Sequence, residues 1–204
     1  MRVRKHVNPF QFFKELNPLK LNELFPKDQP LNLEIGSETG SFLLEYAKTK
    51  PDQNFLGVEI RTPHVEALDQ KIKDQNIQNV RIINANANEH LIKILPPDSI
   101  SDIYVFFADP WFKKRHVKRR VINQKMLSDF KVLQKKSRNL YIQTDVEALM
   151  IYMHKEILDS NIYQPLYTDI YELKENPLKV MTDYEKKTIS YNDPVYRMVY
   201  KKVI

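Results

Sequence analysis

The run Leu31-Asn32-Leu33-Glu34-Ile35, followed by Gly36-Ser37-Glu38-Thr39-Gly40 and then by Ser41-Phe42-Leu43-Leu44-Glu45-Tyr46-Ala47, changes its periodicity in the middle. The first five residues read as a short strand. After the two glycines, Phe42, Leu43, Tyr46 and Ala47 fall at helical spacing, which predicts a helix from Ser41 to Lys50. Pro51 and Asp52 break it, and Asn54-Phe55-Leu56-Gly57-Val58-Glu59-Ile60 forms a second strand. The chain has only three glycines, Gly36, Gly40 and Gly57, all within 22 residues. A sequence this sparing keeps glycine where backbone freedom or close approach is needed.

The same alternation continues downstream. A helix is expected from Pro63, a favoured first-turn residue, to Asp74, then a strand Val80–Asn84 and a short helix near 88–94. Pro96-Pro97-Asp98 is a turn and Ile103–Ala108 a fourth strand. Met126–Leu133 reads as helix, Leu140–Gln143 as strand and Glu147–Asp159 as helix. The tail favours strands at Pro165–Tyr171 and Val195–Lys201, with no helix between them, so an antiparallel hairpin is expected at one edge. Upstream, residues 1–30 read as an irregular basic and aromatic arm with one short helix near 10–16, and Arg2, Arg4 and Lys5 lie within reach of phosphate. The expected architecture is α/β, with a Rossmann-like, mostly parallel open sheet carrying helices on both faces and an antiparallel C-terminal edge hairpin. The arm and a single domain over 31–204 account for the whole chain.

Composition narrows the chemistry. At 204 residues, one domain with a sizeable core is expected. With no cysteine, disulfides, thiolate zinc sites and cysteine nucleophiles are excluded together. No metal site is expected. The apolar runs reach about six residues, against the ~20 needed to span a bilayer, and no apolar segment follows the basic start. A cytoplasmic protein without a membrane partner is the expectation; the oligomeric state is left open. The net charge is +6, and six Lys/Arg lie between Lys113 and Arg120. Without them, 26 bases face 26 acids, so one segment carries the whole excess. A patch this concentrated points to a polyanionic partner.

Ligands of open α/β sheets bind at the carboxyl ends of the strands, at the topological switch point. Glu34, Glu59 and Asp109 all sit at or near such ends, along one crevice. The turn Gly36-x-x-x-Gly40 is not the dinucleotide fingerprint, because Glu38 stands where a pyrophosphate would approach, and no Walker lysine follows. Glu34 and Glu38 suit a cationic ligand without phosphate, and Glu59 is placed to accept hydrogen bonds from a ribose diol. S-adenosylmethionine meets all three requirements.

These residues resemble a known family, the bacterial tRNA (guanine-N7-)-methyltransferases. The likeness rests on Leu33-Glu34-Ile35-Gly36, on Gly57-Val58-Glu59-Ile60-Arg61 and on the block Phe107-Ala108-Asp109-Pro110-Trp111-Phe112-Lys113-Lys114-Arg115-His116-Val117-Lys118-Arg119-Arg120. Thr144-Asp145 and Thr182-Asp183-Tyr184-Glu185 complete it. The resemblance implies a class I fold, S-adenosylmethionine as cofactor and a guanine in the variable loop of tRNA as target. It assigns Glu34, Gly36, Gly40, Glu59, Asn86 and Asp109 to the cofactor, and Asp109 also to catalysis. It assigns Lys113, Asp145, Thr182 and Glu185 to the substrate, and Lys114, Arg115, His116, Lys118, Arg119 and Arg120 to tRNA. The chain departs from the family pattern at Asn86 (usually Asp), Glu38 (commonly Gly), Phe112 (usually Pro) and Asp183 (usually Lys).

Guanine N7 carries an exposed lone pair, so in-line attack on a sulfonium methyl needs alignment rather than a base. Methylation leaves the purine cationic, which gives Asp109 the role of stabilising developing charge, with Asp145 and Glu185 on the guanine edge. Two rival readings stand beside this one. Asp109-Pro110-Trp111-Phe112 is near the acid or amide-Pro-Pro-aromatic motif of amino-methyltransferases, and a non-catalytic RNA-binding module could retain the same fold.

Overall fold

The computed structural model describes residues 8–12 and 14–204. Arg2, Arg4 and Lys5 lie outside them. Seven strands form one sheet: β1 (Leu31–Ile35), β2 (Asn54–Glu59), β3 (Val80–Asn84), β4 (Ile100–Phe106), β5 (Asn139–Thr144), β6 (Tyr163–Pro165) and β7 (Tyr196–Lys202). Their spatial order is β3-β2-β1-β4-β5-β7-β6. The first five are parallel, while β7 runs antiparallel between β5 and β6. The chain leaves β1 towards β2 and β3, then crosses back to β4, so the switch point lies between β1 and β4.

Helices α1 (Leu21–Leu24), α2 (Ser41–Thr49), α3 (Thr62–Asp74), α4 (Ala87–Ile94), α5 (Gln124–Leu133), α6 (Glu147–Asp159) and α7 (Asp183–Ser190) surround the sheet. Strand alternation divides the core between them. Leu33, Val58, Ile103 and Ile142 point to one face and pack with Leu91 of α4, Phe130 of α5 and Met153 of α6. Phe55 faces the other way, against Leu43 of α2 and Leu68 of α3, and Tyr104 and Phe106 pack there with Phe42. β1, β2 and β4 are buried along nearly their whole length on both faces, as parallel strands are, with Asn32, Glu34 and Ser101 as buried polar residues among them. Among the described residues no helix is long and apolar enough to cross a membrane.

Three expectations change. The helix near 10–16 is absent among the described residues; Pro9–Gln11 is a single 3-10 turn, and the first α-helix is α1. Leu16, Leu19, Leu21, Leu24 and Phe25 pack on the main core, so the arm from residue 16 on joins the domain. The fourth strand runs from Ile100 to Phe106, because Phe107 adopts φ 51 and ends it before Ala108. The tail forms the expected antiparallel edge pair, β6 with β7, but not as a simple hairpin. Only Tyr163–Pro165 is strand, and α7 lies between it and β7. Beyond Leu166, side chains take the backbone donors: Glu172 accepts from the Thr168 N–H at 2.8 Å, and Asp169 from the Tyr171 N–H at 2.9 Å. Such local turns compete with a sheet ladder.

Two glycines set how close the helices come. A Cβ on Gly57 would meet Leu43 and Ser37 at 2.6 Å, and one on Gly40, which has φ 73, would collide with Leu68. Gly40→Ala therefore combines left-handed strain with overpacking, and we expect a loss of about 2 kcal/mol, read as a lower denaturant midpoint at unchanged slope.

Candidate active site

A cavity of about 340 Å³ opens at the carboxyl ends of β1, β2 and β4. Glu34, Gly36, Glu38, Glu59, Asn86 and Asp109 line it, and Thr182, Asp183 and Tyr184 approach from the N-terminus of α7. Gly36 has φ 82, a turn only glycine makes freely, and its N–H bonds to the Val58 carbonyl at 2.7 Å. Gly40 does not line the cavity; it forms the left-handed N-cap of α2.

Glu34 is the most unusual group. Its side chain is buried, and Oε2 has no hydrogen-bond partner among the described residues. Burial pushes its carboxyl up to about 8; the Ser37 hydroxyl counteracts this in part, while the charges of Glu59 and Glu38 add to it. A buried acid with one oxygen left unpaired beside a cavity is expensive to keep and fits a ligand that brings a positive charge. That is the donor chemistry expected for the ammonium end of S-adenosylmethionine. Glu59 is also buried, but all its contacts are made: it accepts from the backbone N–H groups of Glu38 and Arg61 and from the Arg61 side chain.

Asn86 ends the β3 side of the crevice and caps α4, its Oδ1 accepting from the Asn88 N–H at 3.2 Å. Its Nδ2 donates to the Pro9 carbonyl at 2.9 Å, which draws the amino-terminal arm to the cavity rim. His90 Nε2 lies 2.7 Å from the Lys14 carbonyl and strengthens that attachment.

Asp109 sits in a strained segment. Phe107 and Trp111, two residues to either side, have φ 51 and 44, conformations costing roughly 1–2 kcal/mol each for a side chain with Cβ. The turn buries Trp111 and leaves Phe112 exposed. The basic segment follows as a six-residue 3-10 helix, Lys114–Arg119. Lys113, Lys114, Arg115 and Lys118 are exposed. Arg119 and Arg120 are half-buried and already engaged. The Arg119 guanidinium lies 4.9 Å from the Trp111 ring centre and lines the cavity. Arg120 Nε donates to the Pro110 carbonyl at 2.8 Å while its guanidinium covers Tyr152 at 4.3 Å. These two arginines brace the Asp109-Pro110 turn from within. The imidazole of His116 is held below its usual value by partial desolvation and by its neighbours Arg119, Arg115 and Lys113.

The expected substrate residues divide. Thr182 lines the cavity and caps α7, its hydroxyl accepting from the Glu185 N–H at 2.9 Å. Asp145, at the end of β5, accepts from the Tyr184 hydroxyl at 2.9 Å. Lys113 lies outside the cavity, on the basic turn. Glu185 does not line it either. Glu185 is fully buried, receiving Arg197 Nη2 at 2.7 Å and Asn176 Nδ2 at 3.0 and 3.2 Å. Its visible task is to hold α7 against β7.

Sequence reasoning missed Arg61, Tyr184 and the contacts of α7 with the glycine turn. Thr39 Oγ1 donates to Asp183 at 3.2 Å, and the Asp183 N–H donates to Ser41 Oγ at 2.9 Å. The signal for α7 was present: Thr182-x-x-Glu185 is the spacing of a helix-capping box. Among the described residues no cluster of His, Asp and Glu could hold a metal ion.

The model of the Methyltransf_4 family of methyltransferases matches residues 28–198. The tRNA (guanine-N(7)-)-methyltransferase of Prochlorococcus marinus (strain NATL1A) is 37% identical over 207 residues, covering 97% of this chain and 96% of the relative. That of Trichormus variabilis is 33% identical over 212 residues, covering 100% and 97%. Among solved structures, the 16S rRNA methyltransferase KamB superposes with a TM-score of 0.65 at 12% identity, over 94% of this chain and 96% of that one. The geranyl diphosphate C-methyltransferase from Streptomyces coelicolor A3(2), solved with S-adenosyl-L-homocysteine, gives 0.57 at 11% identity, over 90% and 77%.

The raised carboxyl of Glu34 fixes the sign of a pH effect. Below about 8 it holds a proton that a cationic ligand must displace. Affinity for S-adenosylmethionine should rise with pH by up to about tenfold per unit below that value and level off above it. Titration across pH on the wild type and on Glu34→Gln checks this, since the difference between the two profiles isolates the carboxyl; parallel profiles would remove Glu34 from the ligand's charge balance.

Proposed function

The chain belongs to the tRNA (guanine-N7-)-methyltransferase family, and from that we propose how its residues divide the work. The reaction is transfer of the methyl group of S-adenosylmethionine to N7 of a guanine in tRNA. Our reading of the site is finer: a guanine of the variable loop enters beside Asp109, while Glu34, Glu59 and Asn86 hold the cofactor along the strand ends. The observation that carries it is that Asp109 shares one cavity with the buried Glu34, whose Oε2 has no hydrogen-bond partner among the described residues, and stands at the root of the basic turn.

S-adenosylmethionine supplies, when bound, an electrophilic methyl group on a positive sulfur. Glu34 receives the ammonium end and Glu59 the ribose. Asn86 stands at the adenine end, where the Pro9 carbonyl already uses its amide donor. Asp109 lies where the purine gains positive charge and stabilises that charge as it forms. Thr182, and Asp145 held by the Tyr184 hydroxyl, face the guanine edge. Glu185 acts through position: with Arg197 it fixes the helix that carries Thr182 and Tyr184. N7 is inaccessible within the deep groove of A-form RNA, so a splayed loop base is the suitable target. Lys113, Lys114, Arg115 and Lys118 supply phosphate contacts that set register without reading sequence. On this reading the protein works in the cytoplasm with its tRNA substrate.

Two measurements test this assignment. Asp109→Ala should lower turnover by roughly 10²–10³-fold in a labelled-methyl transfer assay, with cofactor and tRNA affinities nearly unchanged; near-normal turnover would sink the role of Asp109. Neutralising Lys114, Arg115 and Lys118 together should weaken tRNA binding and flatten its salt dependence by about one slope unit per lost phosphate contact. An unchanged slope would make the turn an ordinary solvated face.

A further inference from the structure

Glu59 closes β2 with a full set of donors. Its Oε1 accepts the backbone N–H of Arg61 at 2.8 Å and Arg61 Nε at 3.0 Å. Its Oε2 accepts the backbone N–H of Glu38 at 3.1 Å and Arg61 Nη2 at 3.3 Å. An ionised carboxylate offers about four lone-pair sites, and here all are used. Two of the donors belong to the backbone of the glycine turn and of the α3 N-terminus, and cannot leave without unmaking the loop. The other two belong to one guanidinium, on a side chain that keeps 31% of its surface exposed and lines the cavity.

A ribose cis-diol also presents two O–H donors to one carboxylate. We infer that Arg61 is a resident substitute for that diol: it saturates Glu59 in the free protein and is displaced, two donors for two, when the cofactor binds. The inference rests on Glu59 being the ribose acceptor. It makes Arg61 a determinant of cofactor affinity, because each binding event must first break a bidentate contact to a buried acid.

Glu38 gives the displaced guanidinium somewhere to go. Arg61 Nη1 already lies 3.7 Å from Glu38 Oε1, so a modest rotation exchanges one carboxylate for the other. Glu38 is held at φ 44, a strained backbone for a residue with Cβ, at a position where the resembling family commonly has glycine. A glycine there would make the turn without strain but leave Arg61 no second partner. In a crevice that also holds Glu34 and Asp109, keeping the guanidinium nearby on Glu38 avoids stripping it of a counter-charge. The pair Arg61–Glu38 then sets the balance: Glu38 draws Arg61 off Glu59 and favours binding, while Arg61 on Glu59 opposes it.

This ordering can be measured with S-adenosylhomocysteine and with uncharged adenosine as probes, by calorimetric titration of the full chain. The variants are Glu59→Gln, Arg61→Met, Arg61→Lys, Glu38→Gly and the Arg61→Met/Glu38→Gly pair, each checked by thermal melting. Arg61→Met should bind both probes more tightly, by about threefold or more, and Arg61→Lys, which cannot bond bidentately, should fall between it and wild type. Glu38→Gly should bind both more weakly, by a similar factor, and that loss should vanish when Arg61 is already Met. Equal or weaker binding by folded Arg61→Met, with Glu59→Gln weakened, overturns the substitution of Arg61 for the diol. Unchanged binding by Glu59→Gln instead removes the ribose assignment on which it rests. A Glu38→Gly loss that persists without Arg61, or that appears for only one probe, means Glu38 acts on the ligand directly and overturns its role as a second seat.

Discussion

Parallel pairing of β1 with β4, Leu33 beside Ile103 and Ile35 beside Val105, is the contact on which the site depends. These neighbours are far apart in sequence, and the connections that leave them travel to opposite sides of the sheet. Their carboxyl ends are therefore not bridged by a loop and leave the crevice open. The same pairing buries the two strands between helices, so anything polar at their ends is held in a poorly solvated place. Glu34 is the result: an acid whose charge the surrounding protein disfavours. Asp109, carried past the end of β4 on a strained turn, lines the same cavity as Glu34.

A second constraint operates at the other end of the chain. Glu185 and Arg197 form a buried ion pair between α7 and β7, with Asn176 and the Lys174 carbonyl completing their hydrogen bonds. Buried pairs contribute modestly to net stability, but losing one partner costs about 3–5 kcal/mol, because the other charge is left uncompensated. The pair therefore works as a register pin. With α7 fixed, Thr182 and Tyr184 reach the cavity, and Asp183 is joined to the glycine turn through Thr39 and Ser41. The tail thus supplies one wall of the cavity, tied to the glycine turn.

Much of this was legible from local pattern. The change of period around Gly36 and Gly40, the acids at or near the ends of three strands and the concentration of charge after Asp109 are properties of contiguous residues, and sequence reports these directly. Partnership between distant side chains was hidden. Nothing in the sequence couples Asn86 to the Pro9 carbonyl, 77 residues away, or turns Glu185 towards Arg197 rather than the guanine edge. Arg119 and Arg120 read as two more charges in a basic run; in the structure Trp111, Tyr152 and the Pro110 carbonyl hold them inside. The apparent strand at 165–171 failed for a related reason: its apolar and aromatic residues suit a sheet, but Thr168, Asp169 and Glu172 bond within the segment.

The way the sheet stops at β6 matters for life in a crowded solution. Val203 donates to the Ile162 carbonyl and Leu166 to the Val199 carbonyl, so these residues turn inward to β7. By alternation, Tyr163 and Pro165 turn their backbone groups outward. Proline has no N–H, so this three-residue margin offers a stray strand one donor, the N–H of Tyr163, beside the carbonyls of Tyr163 and Pro165. At this edge of the sheet, opposite β3, another chain finds little length and one N–H to pair with.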